Sequence, residues 1–322
     1  TEPGEALSAA EARSLRLSPV VRKIARDHHI DVRNIMGSGA GGRVTKEDIL
    51  AYIDAGAPTV APQDTGGAMA RQAPVQAALL APNPLATAGL EPDRYERTPM
   101  SVMRRKIAEH MVLSKRISAH VHSAFEIDFT KVDEIRKAKK SEYEQAGGKL
   151  TYMSFITKAC AEGLGKVPIV NASVDGTDIV YKKDINIGVA VALDWGLIVP
   201  VVKNVDQMNL LEISKAIVDL AARARDKKLK PEDVQGGTFT ITNPGVFGAL
   251  FGMPIINQPQ VAIVGVGAVE RRPVVLDDNA IAIRLRAYMT IGYDHRVIDG
   301  AVADQFMQVV KKTIENWDPK DA

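Results

Sequence analysis

The chain has 322 residues, 46% of them hydrophobic, and its 41 basic and 39 acidic side chains give a formal net charge of +2. A chain of this length can bury more than one hydrophobic core. The near equality of basic and acidic side chains argues against nucleic acid as the main partner. Cys160 is the only cysteine, which excludes an internal disulfide and a cysteine-rich zinc site, and no apolar run is long enough to cross a bilayer. We therefore predict a soluble protein of a reducing compartment, with no membrane contact and no bound metal.

Composition divides the chain into segments. Residues 54–97 are rich in Ala and Pro and show no sustained period, which is typical of an extended, mobile linker. The first residue is Thr1 rather than Met, so we expect a processed or excised part of a longer protein and interpret residues 1–16 as the remnant of another linker. These linkers leave a small folded unit at 17–53 and a larger one at 98–322.

The small unit carries signals for two short helices. Ser18 has the place of an N-cap before the first apolar-periodic stretch, and Thr45 with Asp48 has the spacing of a capping box that opens a second helix. The loop between them, GSGAGG, matches a dinucleotide fingerprint, but no strand pattern precedes it and the next helix begins only at Thr45. We therefore reject a nucleotide site in this loop.

The stretch SPVVRKIARDHHIDVRNIMGSGAGGRVTKEDI resembles the peripheral subunit-binding domain of 2-oxo acid dehydrogenase complexes. So many basic side chains on so small a unit indicate docking to an acidic protein surface. The resemblance implies that Arg22 and Arg43 form ion pairs with dihydrolipoamide dehydrogenase or with the 2-oxo acid decarboxylase.

The larger unit alternates helix and strand patterns. In chain order, we predict a helix at 103–111, a strand at 121–129, helices at 130–145 and 151–164, a hairpin at 185–202, a helix at 209–226, strands within 236–242, 260–269 and 280–293, and a final helix at 302–314. Thr130 with Asp133 is predicted to cap the helix at 130–145, and the hairpin turn is predicted at 194–196. The expected fold class is α/β, with a mixed sheet packed by helices.

His295 stands between Asp294 and Asp299 in the stretch MTIGYDHRVIDG. A single histidine near a strand end is more often an ordinary loop residue than a catalyst. This one lies just after a predicted strand and just before a predicted helix, a junction at which a rigid scaffold can present a reactive group. The position favours a catalytic role without deciding it.

The pattern D-H-R-x-x-D-G, preceded by GGTFTITNPGVFG and PIINQPQVAIVGVG, resembles the catalytic domain of dihydrolipoamide acyltransferases from about Met100 to Trp317. The resemblance implies a chloramphenicol acetyltransferase-like domain that transfers an acyl group from S-acyl-dihydrolipoamide to coenzyme A. It implies His295 as the general base, Thr242 as the donor to the oxyanion and Asp299 as the residue that orders the site. From the residues alone, Thr242 is an ordinary strand threonine and Asp299 the N-cap of the last helix.

The same resemblance implies a coenzyme A site built from Arg136, Thr151, Asp194, Asn243 and Gly267. From the residues alone, the basic run at 136–140 is typical of a solvated helix face. Cys160 lies among apolar residues, which indicates a buried small side chain rather than a nucleophile.

The resemblance further implies a carrier and partners. The lipoyl group is expected on a lipoyl domain that this chain lacks, because nothing in it resembles the Asp-Lys-Ala turn that carries the lipoyl lysine. We expect a homotrimer, and a larger core stays open because the chain ends at ENWDPKDA without an apolar tail. The expected location is the bacterial cytoplasm or the mitochondrial matrix.

Three alternatives stay open. A chloramphenicol acetyltransferase-like enzyme would share the fold, but usually has a second histidine where Asp294 stands and lacks the small unit. A non-catalytic scaffold that binds dihydrolipoamide dehydrogenase would keep both units but tends to lose the site residues, and a free docking protein is the third. The acyl group stays open as well, because acetyl, succinyl and branched-chain enzymes share these motifs.

Overall fold

The computed structural model describes residues 18, 20–21, 24–25, 32, 35–39, 43–54, 84–194 and 196–322. These belong to two compact units, Thr1–Ala78 and Leu79–Ala322. The predicted remnant at 1–16 and most of the predicted linker at 54–97 lie outside the described residues.

We number the helices and strands along the described residues. The helices are α1 Lys46–Asp54, α2 Val102–Ile117, α3 Thr130–Ala138, α4 Lys140–Gln145, α5 Tyr152–Lys166, α6 Leu210–Arg225 and α7 Gly300–Glu315. The strands are β1 His120–Asp128, β2 Ala172–Asp175, β3 Asp178–Tyr181, β4 Ile187–Val189, β5 Val191–Leu193, β6 Gly196–Ile198, β7 Val201–Val202, β8 Phe239–Thr242, β9 Ala262–Val266, β10 Glu270–Val275 and β11 Ile281–Asp294. None of these helices combines the length and the apolar composition needed to cross a membrane.

The small unit has its own buried core, in which Ile49 of α1 is fully buried. The predicted capping box at the start of α1 is confirmed: the Asp48 N–H donates to the Thr45 hydroxyl at 3.3 Å, and the Thr45 N–H donates to the Asp48 carboxylate at 2.8 Å. The Ser18 hydroxyl likewise accepts the Val21 N–H at 3.3 Å, as predicted for an N-cap. Local side-chain chemistry therefore sets both helix starts.

The larger unit is built on a mixed sheet, which confirms the predicted fold class. Among the described residues the sheet has seven strands in the order β1-β11-β9-β8-β4-β7, and β10 pairs with the extension of β11. The β4/β8 and β8/β9 pairs are parallel, and the other pairs of this sheet are antiparallel. This order places β1, which is the first strand of the larger unit in sequence, beside β11, which is the last.

Helices α5 and α7 enclose the core against the sheet. The ring of Phe306 on α7 lies 5.5 Å from that of Phe239 on β8, and a Cβ at Gly163 of α5 would come within 2.8 Å of the Phe306 ring. A larger residue at Gly163 would therefore push the two helices apart. Packing at this point fixes α7, and with it the turn that precedes the helix.

The prediction of one helix at 130–145 is wrong. The chain leaves helical geometry at Lys139, with φ −95° and ψ 3°, so α3 ends at Ala138 and α4 begins at Lys140. The predicted cap is also wrong, because Phe129 takes the N-cap position and the Thr130 hydroxyl accepts the Leu285 N–H at 2.9 Å instead. A contact with a strand distant in sequence has displaced the local capping pattern.

The predicted hairpin at 185–202 is confirmed. β5 and β6 pair as the two arms of a hairpin with Asp194 in its turn, and β4 and β7 pair further down the same hairpin. Gly196 lies in β6 rather than in the turn. Two elements had no counterpart in the predictions, the β2/β3 hairpin and strand β10.

Candidate active site

His295 lies on the tight turn between β11 and α7, so its predicted place at a strand-to-helix junction is confirmed. The residue is exposed, whereas its backbone is held: the His295 N–H donates to the Ala119 carbonyl at 2.9 Å. The preceding N–H, of Asp294, donates to the Val261 carbonyl at 2.8 Å. An imidazole on a fixed backbone at the surface is placed to act on a bound molecule.

Asp294 is a buried carboxylate beside this histidine, with only 1% of its surface exposed. The Arg296 guanidinium donates to both of its oxygens, at 3.0 and 2.6 Å, and the Ala119 N–H donates to one of them at 3.2 Å. Burial raises the pKa of Asp294, but the hydrogen bonds from Arg296 and Ser118 more than offset it and hold the pKa below its usual range. The turn around His295 is therefore closed by an ion pair whose carboxylate is buried and whose arginine is exposed.

Asp299 occupies the N-cap position of α7, as predicted. Its carbonyl accepts the N–H groups of Val302 and Ala303, both at 3.0 Å, while its side chain makes no capping hydrogen bond and the residue is exposed. The carboxylate is thus not engaged by the helix start, which leaves it available at the same turn as His295.

Thr242 is the last residue of β8 and lies towards the opposite end of the sheet from His295. It pairs with Gly265 of β9, and Gly265 pairs with Thr290 of β11. Thr290 precedes His295 by five residues, which at about 3.4 Å per residue is roughly 17 Å along the strand. The two residues therefore do not meet within one chain.

Three of the residues predicted to bind coenzyme A gather around the end of β8. The Asn243 amide donates to the sulfur of Met153 at 3.6 Å, and Met153 lies two residues after Thr151, the N-cap residue of α5. Gly267 touches the same loop, since a Cβ at Gly245 would lie 2.2 Å from the Gly267 carbonyl carbon. The backbones at Gly245 and Gly267 are in direct contact, which only glycine permits.

Arg136 joins this group through Tyr152. Its guanidinium carbon lies 5.0 Å from the Tyr152 ring centre, and its Nη2 donates to the Asp133 carboxylate at 2.7 Å. Burial raises the pKa of Tyr152, and with the hydrogen bond to Asp133 the value reaches about 12. Lys137 and Lys140 of the basic run are exposed, as predicted for a solvated helix face, whereas Arg136 is partly buried against Tyr152 and the buried Asp133.

Asp194 is exposed at the tip of the β5/β6 hairpin and stands apart from the other coenzyme A candidates. The hairpin starts beside β8, where the Ala190 N–H donates to the Ile241 carbonyl at 2.9 Å. Asp194 follows four residues later, or roughly 13 Å along an extended strand. The structure therefore brings four of the five candidates together and leaves Asp194 at the rim.

The remaining candidates are Cys160 and the two arginines of the small unit. Cys160 is fully buried, as predicted, and burial raises the pKa of its thiol, so it is not a nucleophile. In the small unit Arg43 is exposed, and its carbonyl accepts the Gly39 N–H at 2.9 Å. Arg22 lies outside the described residues.

The sequence analysis missed the ion pair of Asp294 and Arg296, which holds the His295 turn. The sequence contains a sign of this ion pair, because the two opposite charges stand directly before and after the histidine. It also missed Ser118, Gln258 and His120, which hydrogen bond around the same turn. No local pattern marks them, since Gln258 contacts a residue 140 positions away.

Comparison with known proteins identifies the family. Two family profiles match, 2-oxoacid dehydrogenases acyltransferase (catalytic domain) over residues 92–320 and e3 binding domain over residues 15–50. The chain is 39% identical to the dihydrolipoyllysine-residue succinyltransferase component of the 2-oxoglutarate dehydrogenase complex of Pseudomonas aeruginosa, over 93% of this chain and 71% of that protein. It is 37% identical to the lipoamide acyltransferase component of the branched-chain alpha-keto acid dehydrogenase complex of Bacillus subtilis, over 97% of this chain and 74% of that protein.

A solved structure gives the same result. The cubic core of the pyruvate dehydrogenase multienzyme complex superimposes with a TM-score of 0.68 and 36% identity, over 73% of this chain and 96% of that chain. Profile, sequence and fold therefore agree over the whole larger unit. The chain belongs to the family of 2-oxoacid dehydrogenase acyltransferases.

Proposed function

We propose that this protein transfers an acyl group from S-acyl-dihydrolipoamide to coenzyme A, with His295 as the general base. The observation that carries the proposal is the exposed imidazole on a turn locked by Asp294, within a domain of this family. A scaffold without activity would have no need for a histidine held in this way. The coenzyme A and the lipoyl group are both substrates, and the lipoyl group arrives on a lipoyl domain.

The proposed reaction needs one base and one oxyanion donor. His295 takes the proton of the coenzyme A thiol, and the thiolate attacks the thioester carbonyl. The Thr242 hydroxyl donates to the oxyanion of the tetrahedral intermediate. When the intermediate collapses, the carbon–sulfur bond to the lipoyl group breaks and the leaving sulfur takes the proton back from His295.

We further propose that each site is completed by two copies of the chain in a homotrimer. His295 and Thr242 are separated by roughly 17 Å along the sheet within one chain, whereas both must reach one thioester. An exposed apolar loop follows Thr242, in which Val246 is 71% and Phe247 76% exposed. Such a surface is suited to burial against another copy.

Subunit complementation tests this arrangement. His295→Ala and Thr242→Val trimers are prepared separately, then unfolded together and reassembled at equal ratio. If each site takes its histidine and its threonine from different copies, about a quarter of the sites regain both, and activity returns to that level. Mixed trimers that stay inactive would show that the two residues act within one chain, or not at all.

The proposed coenzyme A site is the cluster around the end of β8. Arg136, already partly desolvated against Tyr152, is placed to pair with a phosphate, and Thr151, Asn243 and Gly267 would line the pantetheine arm. Asp194 would meet the ligand at the rim. Arg136→Ala is expected to raise the KM for coenzyme A by about tenfold with little change in kcat.

The small unit binds dihydrolipoamide dehydrogenase in this proposal, as the e3 binding domain match indicates, and also the decarboxylase. Arg22→Ala with Arg43→Ala should weaken docking by about two decades or more, because truncating one partner of a buried ion pair costs about 2 to 5 kcal/mol. Calorimetric titration at low and high salt measures this, with Lys46→Ala as the control. Transfer to free dihydrolipoamide should survive in the double variant.

The acyl group is the last element of the proposal. The relatives include a succinyltransferase and a branched-chain acyltransferase at similar identity, and they are bacterial, which supports a cytoplasmic location. Assaying transfer from acetyl-, succinyl- and isobutyryl-dihydrolipoamide side by side assigns the substrate by the highest kcat/KM. A preparation that transfers none of the three would contradict the proposed function itself.

A further inference from the structure

Gln258 connects the segment 254–260 to the base of the His295 turn by a side-chain bond. The Gln258 side-chain amide donates to the hydroxyl of Ser118 at 2.6 Å and to that of Ser114 at 3.3 Å. Both N–H groups of the amide are therefore used, and both go to the C-terminal end of α2. Ser118, the C-cap residue of that helix, is only 6% exposed.

The residue after Ser118, Ala119, holds the His295 turn through both of its backbone polar groups. The Ala119 N–H donates to the Asp294 carboxylate at 3.2 Å, and the Ala119 carbonyl accepts the His295 N–H at 2.9 Å. Any displacement of the chain at Ser118 is therefore passed directly to His295. No intervening flexible side chain would absorb it.

The Ser118 hydroxyl has a defined direction because of Gln258. A hydroxyl has one proton and two acceptor positions, and a short bond from the Gln258 amide fills one acceptor position. With that position filled, the side chain of Ser118, the residue before Ala119, is tied to Gln258. Gln258 is thus connected to the His295 turn by its bond to the Ser118 hydroxyl and, one residue on, by the bonds of the Ala119 backbone to Asp294 and His295.

Gln258 is not required to hold its own segment in place. The Ser114 hydroxyl donates to the Ile256 carbonyl at 2.6 Å, and the Ile256 N–H donates to Nε2 of His120 at 3.1 Å. His122 Nε2 lies 3.0 Å from the Pro254 carbonyl. These bonds fix the segment to α2 and β1 without the Gln258 amide.

We propose that Gln258 is a positioning residue for His295, acting through Ser118 and the Ala119 backbone on the turn that carries the histidine. This inference rests on the proposed role of His295 as the base. Gln258 does not touch the reacting atoms; it holds Ser118, and through the Ala119 backbone it keeps the turn in one arrangement.

The test is a double-mutant cycle on the full chain. In Gln258→Glu a carboxylate replaces the amide donor, so the bonds from residue 258 to the Ser118 and Ser114 hydroxyls are lost and a negative charge stands beside them. We expect kcat to fall about tenfold, with the KM values for coenzyme A and dihydrolipoamide unchanged. Ser118→Ala should give a similar loss, and the double variant should lose about tenfold, not the hundredfold of independent sites.

Asn257→Asp is the matched control, because it also replaces an amide by a carboxylate in the same segment. The Asn257 amide donates to the Thr240 hydroxyl, at 3.3 Å, and not to Ser118. We expect it to change kcat by less than about twofold. If Gln258→Glu does not assemble like the parent, Gln258→Met replaces it in the cycle. Additive losses, or a loss in KM alone, would overturn the positioning role, whereas an inactive parent would overturn the proposed function instead.

Discussion

The two halves of the proposed site are built differently. At the His295 end, directional hydrogen bonds from Arg296 and Ala119 to Asp294 hold one turn, and this carboxylate is buried. At the Thr242 end, the backbones of Gly245 and Gly267 touch, and the loop that follows is apolar and exposed.

The difference follows from what each half has to do. A histidine that accepts and returns a proton needs a fixed orientation, and only directional bonds supply that. A site for a long ligand and a second subunit needs backbone that can be approached closely, which glycine allows because it has no Cβ. The His295 half should therefore respond to changes in polar side chains, and the Thr242 half to added volume.

The largest effect is expected at the histidine. His295→Ala removes the proposed proton acceptor and should lower kcat by about 10² to 10⁴. Because the side chain is exposed, folding and assembly should be unchanged. Steady-state transfer assays with gel filtration on the same preparation measure both, and near-parental turnover in an assembled variant would remove His295 from the mechanism.

Thr242→Val should come next, with a loss of about 10² in kcat and little change in the KM for coenzyme A. Valine keeps the branched shape that suits a strand and deletes only the hydroxyl. Thr240→Val is a useful contrast, since the Thr240 hydroxyl donates to Gln260 at 2.7 Å within the fold. That variant should lose stability, and a Thr242 variant that also lost only stability would show a purely structural threonine.

Added volume tests the glycine contact. A Cβ at Gly267 would lie 2.0 Å from the Leu250 carbonyl oxygen, so Gly267→Ala should lower the free energy of unfolding by about 1 to 3 kcal/mol. Gly165 of α5 has nothing within 4 Å of the same position, and Gly165→Ala should instead stabilise by about 0.5 to 1 kcal/mol. Urea unfolding of both variants measures the difference, and equal effects would contradict the tight contact.

The smallest effect concerns His120 near the turn. Burial lowers the pKa of His120 below its usual value, and its Nε2 accepts the Ile256 N–H, which requires the neutral ring. The unfolded chain therefore takes up this proton first, so the contribution to stability is present above the unfolded pKa of about 6.5 and is lost as pH falls below it.

His120→Gln keeps an acceptor for Ile256 without titrating. Between pH 7.5 and 5.5 the parent should lose more unfolding free energy than this variant, by less than about 1 kcal/mol because the ring is partly exposed. Thermal unfolding at the two pH values measures it. A parent and a variant with the same pH dependence would show that His120 does not titrate differently on folding.

Short-range features could be predicted from the residues alone. The reciprocal bonds of Thr45 and Asp48 and the N-cap position of Asp299 follow from local chemistry, and the structure has them. The same reasoning failed at Thr130, where a strand residue, Leu285, took the hydroxyl that the local pattern assigned to the helix. Local rules hold where no distant partner competes.

The sequence by itself determined the family, the mixed sheet and the junction at which His295 lies, because periodicity and caps act between near neighbours and the motif is contiguous. Only the tertiary structure decided that Thr242 and His295 lie apart within one chain, since strand order and register set that distance. It alone also paired Gln258 with Ser118, because residues so far apart in sequence meet only through the packing of α2 against the segment before β9. Side-chain patterns specify helices and strands, whereas the register between distant strands specifies which side chains lie close enough to act in one reaction.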